Sequence, residues 1–404
     1  MTSEAIVDIG PVAHGGHCVA RLDGQVVFVR HTMPGERVRI AITERTKNFL
    51  RADAIEVLEP AAGRVEPPCV YAGQCGGCDF QHVDPAAQRV MLGDVVREQL
   101  RRLAGITWDG EVEAVQPDAL GWRTRVQFAV DGEGRPGLRR HRSHEIVPVE
   151  RCLIAHPDLP VVLGRVWDAD TVESIVSSTR DRLLVTDASI SDEVEAEVDG
   201  VVATDGTTRG GRGSVTEQVL GADFRVAGSG FWQVHPGAAT TLVQAVMEGA
   251  AAQAGDTVLD LYAGVGLFTR FLADAVGESG TVVSVESDPG GSRDARRNLH
   301  DAPQVRLVAE TVERALRNGS LGPAADIVVL DPPRTGAKKA VPGIVDLDPR
   351  RIVYVACDPA ALARDLASFA ARGYALTGLR AFALFPMTHH VECVAVLERT
   401  VSDG

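Results

Sequence analysis

The chain lacks any apolar run long enough to span a bilayer, which excludes a helical membrane protein. Its N-terminus lacks a basic stretch followed by an apolar core, so no secretory signal is expected and the protein reads as cytoplasmic. It also lacks a surplus of positive charge. The formal net charge is −14 over 404 residues, which argues against a protein that coats nucleic acid through overall charge. No internal repeat is visible, and nothing calls for an obligate protein partner. The seven cysteines are not expected to form disulfides in a cytoplasmic setting, so clusters among them point to metal or catalysis.

What is present is segregated. Residues 21–51 hold seven basic residues against three acids, and residues 121–151 hold seven arginines against four acids. Residues 187–205 hold seven acids and no Lys or Arg. Both basic segments are placed to bind phosphates, although Arg-rich solvated faces would look the same.

The length suits two or three domains. Residues 1–59 read as five short strands (4–9, 18–22, 26–29, 37–43 and 50–58), which suits a small OB-like barrel. Residues 60–225 read as a β-rich central domain that opens with a cysteine cluster and a helical pattern at 85–103. The run Arg209-Gly210-Gly211-Arg212-Gly213 is expected to be a mobile hairpin tip. Residues 226–404 alternate apolar strands with helical patterns, the signature of a doubly wound α/β domain.

Cys69, Cys75 and Cys78 form C-x5-C-x2-C in a Gly-rich loop, and Cys152 follows in a β-rich piece. Four thiolates satisfy an iron–sulfur cubane or a structural zinc, and spacing does not separate the two. Further on, Val258–Thr269 reads as strand, Gly-rich turn and helix. Glu286 ends the next strand, where it can take both ribose hydroxyls of a nucleoside. A later strand ends in Asp331-Pro332-Pro333-Arg334, a stiff loop beside the ligand. The missing third glycine argues against NAD, and the three segments in order point to a methyl donor, S-adenosylmethionine.

Cys357 follows the apolar run 352–355, and Pro359 opens a helix just after it. A helix N-terminus favours thiolate, so Cys357 is the candidate nucleophile. Beside a methyl donor such a thiol has a use: adding to carbon 6 of uracil, it makes carbon 5 nucleophilic. Glu392, at the start of the last strand, is the candidate base for the carbon 5 proton.

These residues resemble the RNA 5-methyluridine methyltransferases, and the resemblance covers nearly the whole chain. It implies a TRAM domain at the N-terminus and a 4Fe–4S cluster, rather than zinc, on Cys69, Cys75, Cys78 and Cys152. It implies cofactor contacts from Gln233, Tyr262, Glu286 and Asp331, with Cys357 as nucleophile and Glu392 as base. The chain departs from the family pattern at Ala263, Leu267, Ala356 and Asp358. The barrel with a cluster is closer to the 23S rRNA enzymes, so 23S rRNA is the expected RNA. A tRNA uridine-54 enzyme is the first alternative, and a catalytically silent RNA-binding or assembly protein the second.

Overall fold

The computed structural model describes residues 4–400. Strands Glu4–Asp8, Arg37–Arg45, Phe49–Glu59, Gln25–Arg30 and Cys18–Leu22 form one sheet in that spatial order. Its two edge strands lie against each other, so the sheet closes into a barrel around Val27, Val29, Val38 and Ile40. The alternation in Val38-Arg39-Ile40-Ala41-Ile42 sends every second side chain inward.

The helix Pro85–Ala104 follows. Asp84 caps it by accepting the Ala86 N–H at 2.9 Å, and left-handed Gly105 ends it. It packs on the helix Pro359–Ala370, so this early element braces the far end of the chain.

A seven-stranded sheet forms the centre, with Arg125–Val130 flanked by Thr171–Val176 and Pro136–Arg139. The Gly-Arg run departs from expectation. Thr208–Gly211 is an edge strand paired with Gly200–Val202, not a hairpin tip. Glycine allows the close approach: a Cβ on Gly200 would stand 1.9 Å from the Arg212 carbonyl oxygen.

The C-terminal sheet has eight strands in the order Val305–Val308, Thr281–Val285, Thr257–Leu261, Ile327–Leu330, Arg351–Ala356, Glu392–Arg399, Tyr374–Ala383 and Val112–Ala114. The first five are parallel, and Glu392–Arg399 is antiparallel to both its neighbours. The central parallel strands Thr257–Leu261 and Ile327–Leu330 are buried over almost their whole length, as two covered faces require. Among the described residues no helix is long and apolar enough to cross a membrane.

Trp122 joins these parts. Its fully buried ring packs with Ile154 and Met387, and Cys78, Cys152, Val234 and Phe385 border the same small core. Trp122→Ala is therefore expected to lower unfolding stability by about 3–5 kcal/mol. Urea melts of the two proteins check this, and a difference below 1 kcal/mol would show that the ring is not a shared support.

Candidate active site

The register of the eight-stranded sheet builds the site. Leu261 pairs with both Val285 and Leu330, and Leu330 pairs with Tyr354. Glu286, Tyr262, Asp331 and Cys357, each just past the end of its strand, therefore lie along one edge. Carboxyl ends of parallel strands are where open α/β sheets keep their ligands. Glu392 joins them from the opposite chain direction: Ala356 pairs with Cys393, so the next step of the register sets Cys357 across from Glu392.

A cavity of about 470 Å³ opens at this edge, and Gln233, Tyr262, Glu286 and Asp331 all line it. The two Glu286 carboxylate oxygens accept the Gly264 and Asp288 N–H groups, at 2.8 and 2.5 Å, which fixes the glycine turn. Gly264 has nothing within 4 Å of the place a Cβ would occupy, so its backbone is open to a ligand. Tyr262 sits at φ 64°, a left-handed conformation that L side chains avoid. Gln233 lies on a wall that the segment before it secures: Arg125 donates to the Gly230 carbonyl at 2.5 Å, and the Thr124 N–H and hydroxyl donate to the Val234 carbonyl at 2.8 and 3.0 Å.

Beneath the cavity Asp260 is fully buried, and its carboxyl accepts the Thr269 hydroxyl at 2.5 Å. Burial raises Asp260 to about 7, and burial together with Asp260 raises Asp331. Asp260 was not singled out from the sequence, although a carboxylate inside the apolar run 258–261 is the signal that would have found it.

Cys357 and Glu392 stand beside this cavity. Burial pushes the Cys357 thiol up to about 11, with the Glu392 and Asp331 charges adding and Arg334 opposing. Glu392 is 5 % exposed, and burial and Asp331 hold its carboxyl well above the usual range, again opposed by Arg334. Arg334 is thus the cation common to the thiol and the acid. Asp358 caps the helix Pro359–Ala370 through the Ala361 N–H at 2.7 Å, which fixes the turn that carries the thiol.

The loop before Glu392 is tied to the cysteine region. The Asp79 and Phe80 N–H groups donate to the Met387 carbonyl at 2.8 and 3.0 Å, and the His389 Nδ1 lies 2.6 Å from Asp79 Oδ2. Burial first, then His389, lowers His390 to about 4, so its imidazole is neutral at pH 7. The contacts of Asp79 and Phe80 with this loop were not evident in the sequence, because each joins residues about three hundred apart.

Cys69, Cys75, Cys78 and Cys152 line one pocket. Burial raises Cys75, Cys78 and Cys152, and the other thiols add to the shift. The Gly77 N–H donates to Cys75 Sγ at 3.3 Å, and Arg123 faces Cys78 and Cys152. Among the described residues no three His, Cys, Asp or Glu side chains converge as closely as a metal ion requires.

The two basic segments meet in space. His17, Phe28, Arg30, Arg51, Arg140 and Arg142 line a cleft of about 370 Å³ between the barrel and the central sheet, with Glu44 and Asp53 paired to Arg51 and Arg30 on the same wall. The Arg51 guanidinium lies 5.8 Å from the Phe28 ring centre and 5.2 Å from that of Phe49. Cations beside aromatic faces suit single-stranded nucleic acid.

Comparison with known proteins agrees with this arrangement. Residues 3–55 match the TRAM domain, and residues 217–400 match the family tRNA (Uracil-5-)-methyltransferase. An uncharacterized RNA methyltransferase of Streptomyces avermitilis is 49 % identical, over 98 % of this chain and 99 % of its own length. One from Bifidobacterium longum is 37 % identical, over 98 % of this chain and 97 % of its own. The crystal structure of Pyrococcus abyssi tRNA (uracil-54, C5)-methyltransferase in complex with S-adenosyl-L-homocysteine shares the fold: TM-score 0.71 at 23 % identity, over 96 % of this chain and 99 % of that one. With the sheet-edge site, the barrel and these relatives together, the chain belongs to the TRAM-containing RNA (uracil-5-)-methyltransferase family.

Proposed function

We propose that this chain methylates carbon 5 of a uridine in structured RNA, with 23S rRNA as the favoured substrate. One observation carries the reading: a thiol and a buried acid face each other across two neighbouring strands, beside a cofactor-sized cavity that Asp331 links to both.

Gln233, Tyr262, Glu286 and Asp331 would hold the cofactor, and the open backbone at Gly264 fits a close ligand. When bound, S-adenosylmethionine supplies an electrophilic methyl group. Carbon 5 of uracil is too weak a nucleophile to take it unaided. Once its proton has passed to solvent, the Cys357 thiolate adds through Sγ to carbon 6, and the electron pair of the carbon 5–carbon 6 double bond moves to give an enolate, which makes carbon 5 reactive. After methylation Glu392 accepts the carbon 5 proton, and the thiolate leaves carbon 6. Burial favours the neutral form of Glu392, which makes its carboxylate the stronger base once ionised. The barrel cleft, with Arg30, Arg51, Arg140 and Arg142 on its walls, grips phosphates while the target base is splayed from its stack.

Cys69, Cys75, Cys78 and Cys152 would hold a 4Fe–4S cluster with a structural role. Four thiols at one pocket, an N–H···S bond and a facing cation support that donor set. Zinc is the second choice for the same ligands, and it would need the thiols drawn closer together than they stand here.

A tRNA substrate is the second reading, favoured by the description of the family that residues 217–400 match. The third reading, a catalytically silent RNA-binding or assembly protein, draws on the departures at Ala356 and Asp358. The Asp358 helix cap and the presence of both thiol and acid favour the enzyme over it.

Cys357→Ala should abolish turnover while cofactor binding, read by calorimetry, is kept; an active variant would end the mechanism. Glu392→Gln should accumulate a covalent RNA adduct after methyl transfer, visible as a shifted band on a denaturing gel, and its absence would remove Glu392 as the base. The purified protein should be brown, contain iron and sulfide, and bleach with dithionite, whereas a colourless zinc protein would refute the cluster. For the substrate, 5-methyluridine is measured by mass spectrometry in separated 23S rRNA and tRNA from cells with and without the gene. Loss from 23S rRNA alone is expected, and loss from tRNA alone would move the assignment to the second reading.

A further inference from the structure

The barrel reaches past its RNA-facing cleft into the catalytic region. Its loop 13–17 closes on itself, with the Ala13 N–H donating to the His17 carbonyl at 2.7 Å and the Gly16 N–H to the Ala13 carbonyl at 3.1 Å. Two contacts leave this loop. Gly16, at φ 78°, presses on the segment before Glu392: a Cβ there would stand 2.7 Å from the His389 Cβ. His14 Nε2 lies 3.0 Å from Asp358 Oδ2, beside the nucleophile. The loop thus touches both strand ends that carry the thiol and the acid.

Asp358 poses a problem for Cys357. Its Oδ1 serves the helix cap, accepting the Ala361 N–H at 2.7 Å. An aspartate next to a thiol that must ionise places a negative charge where one is already forming. The other groups around the thiol leave little relief: Glu392 and Asp331 are both acids that disfavour its ionisation, and Arg334 opposes them. Around Asp358 the facing groups are the His14 imidazole from the barrel and the Arg364 guanidinium from its own helix. Cys393 also faces Glu392, Cys357 and Asp358.

We propose that His14 is a positioning residue for the nucleophile: its N–H donates to Asp358 Oδ2, which fixes the capped turn that carries Cys357 and offsets the charge beside the thiol. The barrel thereby completes the active site as well as holding RNA. The inference rests on Cys357 being the nucleophile only for its consequence in turnover, since the thiol can be tested without RNA or cofactor.

The test is the pH profile of Cys357 alkylation by iodoacetamide in the full-length, as-purified protein, read by peptide mass spectrometry. Four proteins are compared: wild type, His14→Ala, Asp358→Asn and the double variant. Asparagine keeps an oxygen for the Ala361 N–H and removes the charge. Without His14 the uncompensated carboxylate disfavours thiolate, so the profile should move to higher pH, with alkylation at a fixed pH about tenfold slower for a one-unit displacement. Asp358→Asn should move the profile to lower pH. In the double variant the loss of His14 should no longer matter, and its profile should coincide with that of Asp358→Asn. An unchanged profile in His14→Ala would overturn the proposal, and so would a double variant that keeps the deficit of His14→Ala. If all four profiles behave as expected while Cys357→Ala retains turnover, the thiol environment is as inferred and the nucleophile assignment is what fails.

Discussion

The pairing of Glu392–Arg399 with Arg351–Ala356 is the constraint on which the site depends. On its other side Arg351–Ala356 is followed by Ile327–Leu330, Thr257–Leu261 and Thr281–Val285, all parallel to it, so the residues at their carboxyl ends gather at one edge. A parallel final strand would have delivered its first residue to the opposite edge of the sheet, several strand residues away. Because this strand is antiparallel, its first residue, Glu392, arrives beside the end of the strand that precedes Cys357. A slip of one residue would turn Glu392 to the other face of the sheet, so the placement of the acid depends on the register of this pairing.

That placement concentrates acid. Asp260, Asp331, Glu392 and Cys357 share a poorly solvated region, and desolvation is the largest influence on each. Arg334, on the loop after Pro332-Pro333, offsets part of this for the thiol and for Glu392. Two non-glycine residues in left-handed conformations, Tyr262 at φ 64° and Met387 at φ 67°, flank the same region. Such conformations cost roughly 1–3 kcal/mol each and persist where surrounding contacts enforce them. For Met387 those contacts are visible: Asp79, Phe80 and Gln88 all bond its backbone. The cysteine loop and the first long helix therefore hold the segment that leads to Glu392.

Much of this was legible in the sequence, for physical reasons that differ by element. The strands Thr257–Leu261, Ile327–Leu330 and Arg351–Ala356 appear where the apolar runs stand, because buried parallel strands need apolar side chains on both faces. Residues at their ends could be located for the same reason. The edge strand Thr208–Gly211 was misread because two of its four residues are glycines, which carry no alternation and signal turns. Val112–Ala114 is too short to show a period, yet it closes the far edge of the C-terminal sheet. The supports of the site, His14 on Asp358, Asp79 on His389 and Arg125 on Gly230, join segments more than one hundred residues apart. No local pattern encodes such pairs; they follow only once the sheets have formed.

The most direct test of thiol addition uses an RNA substrate whose target uridine carries fluorine at carbon 5, incubated with the wild-type protein and S-adenosylmethionine. Fluorine cannot leave as a proton, so the reaction should stop after methyl transfer with Cys357 still bonded to carbon 6. A protein–RNA species containing the methyl group and mapping to the Cys357 peptide is expected. No covalent species, or one attached at another residue, would contradict the mechanism.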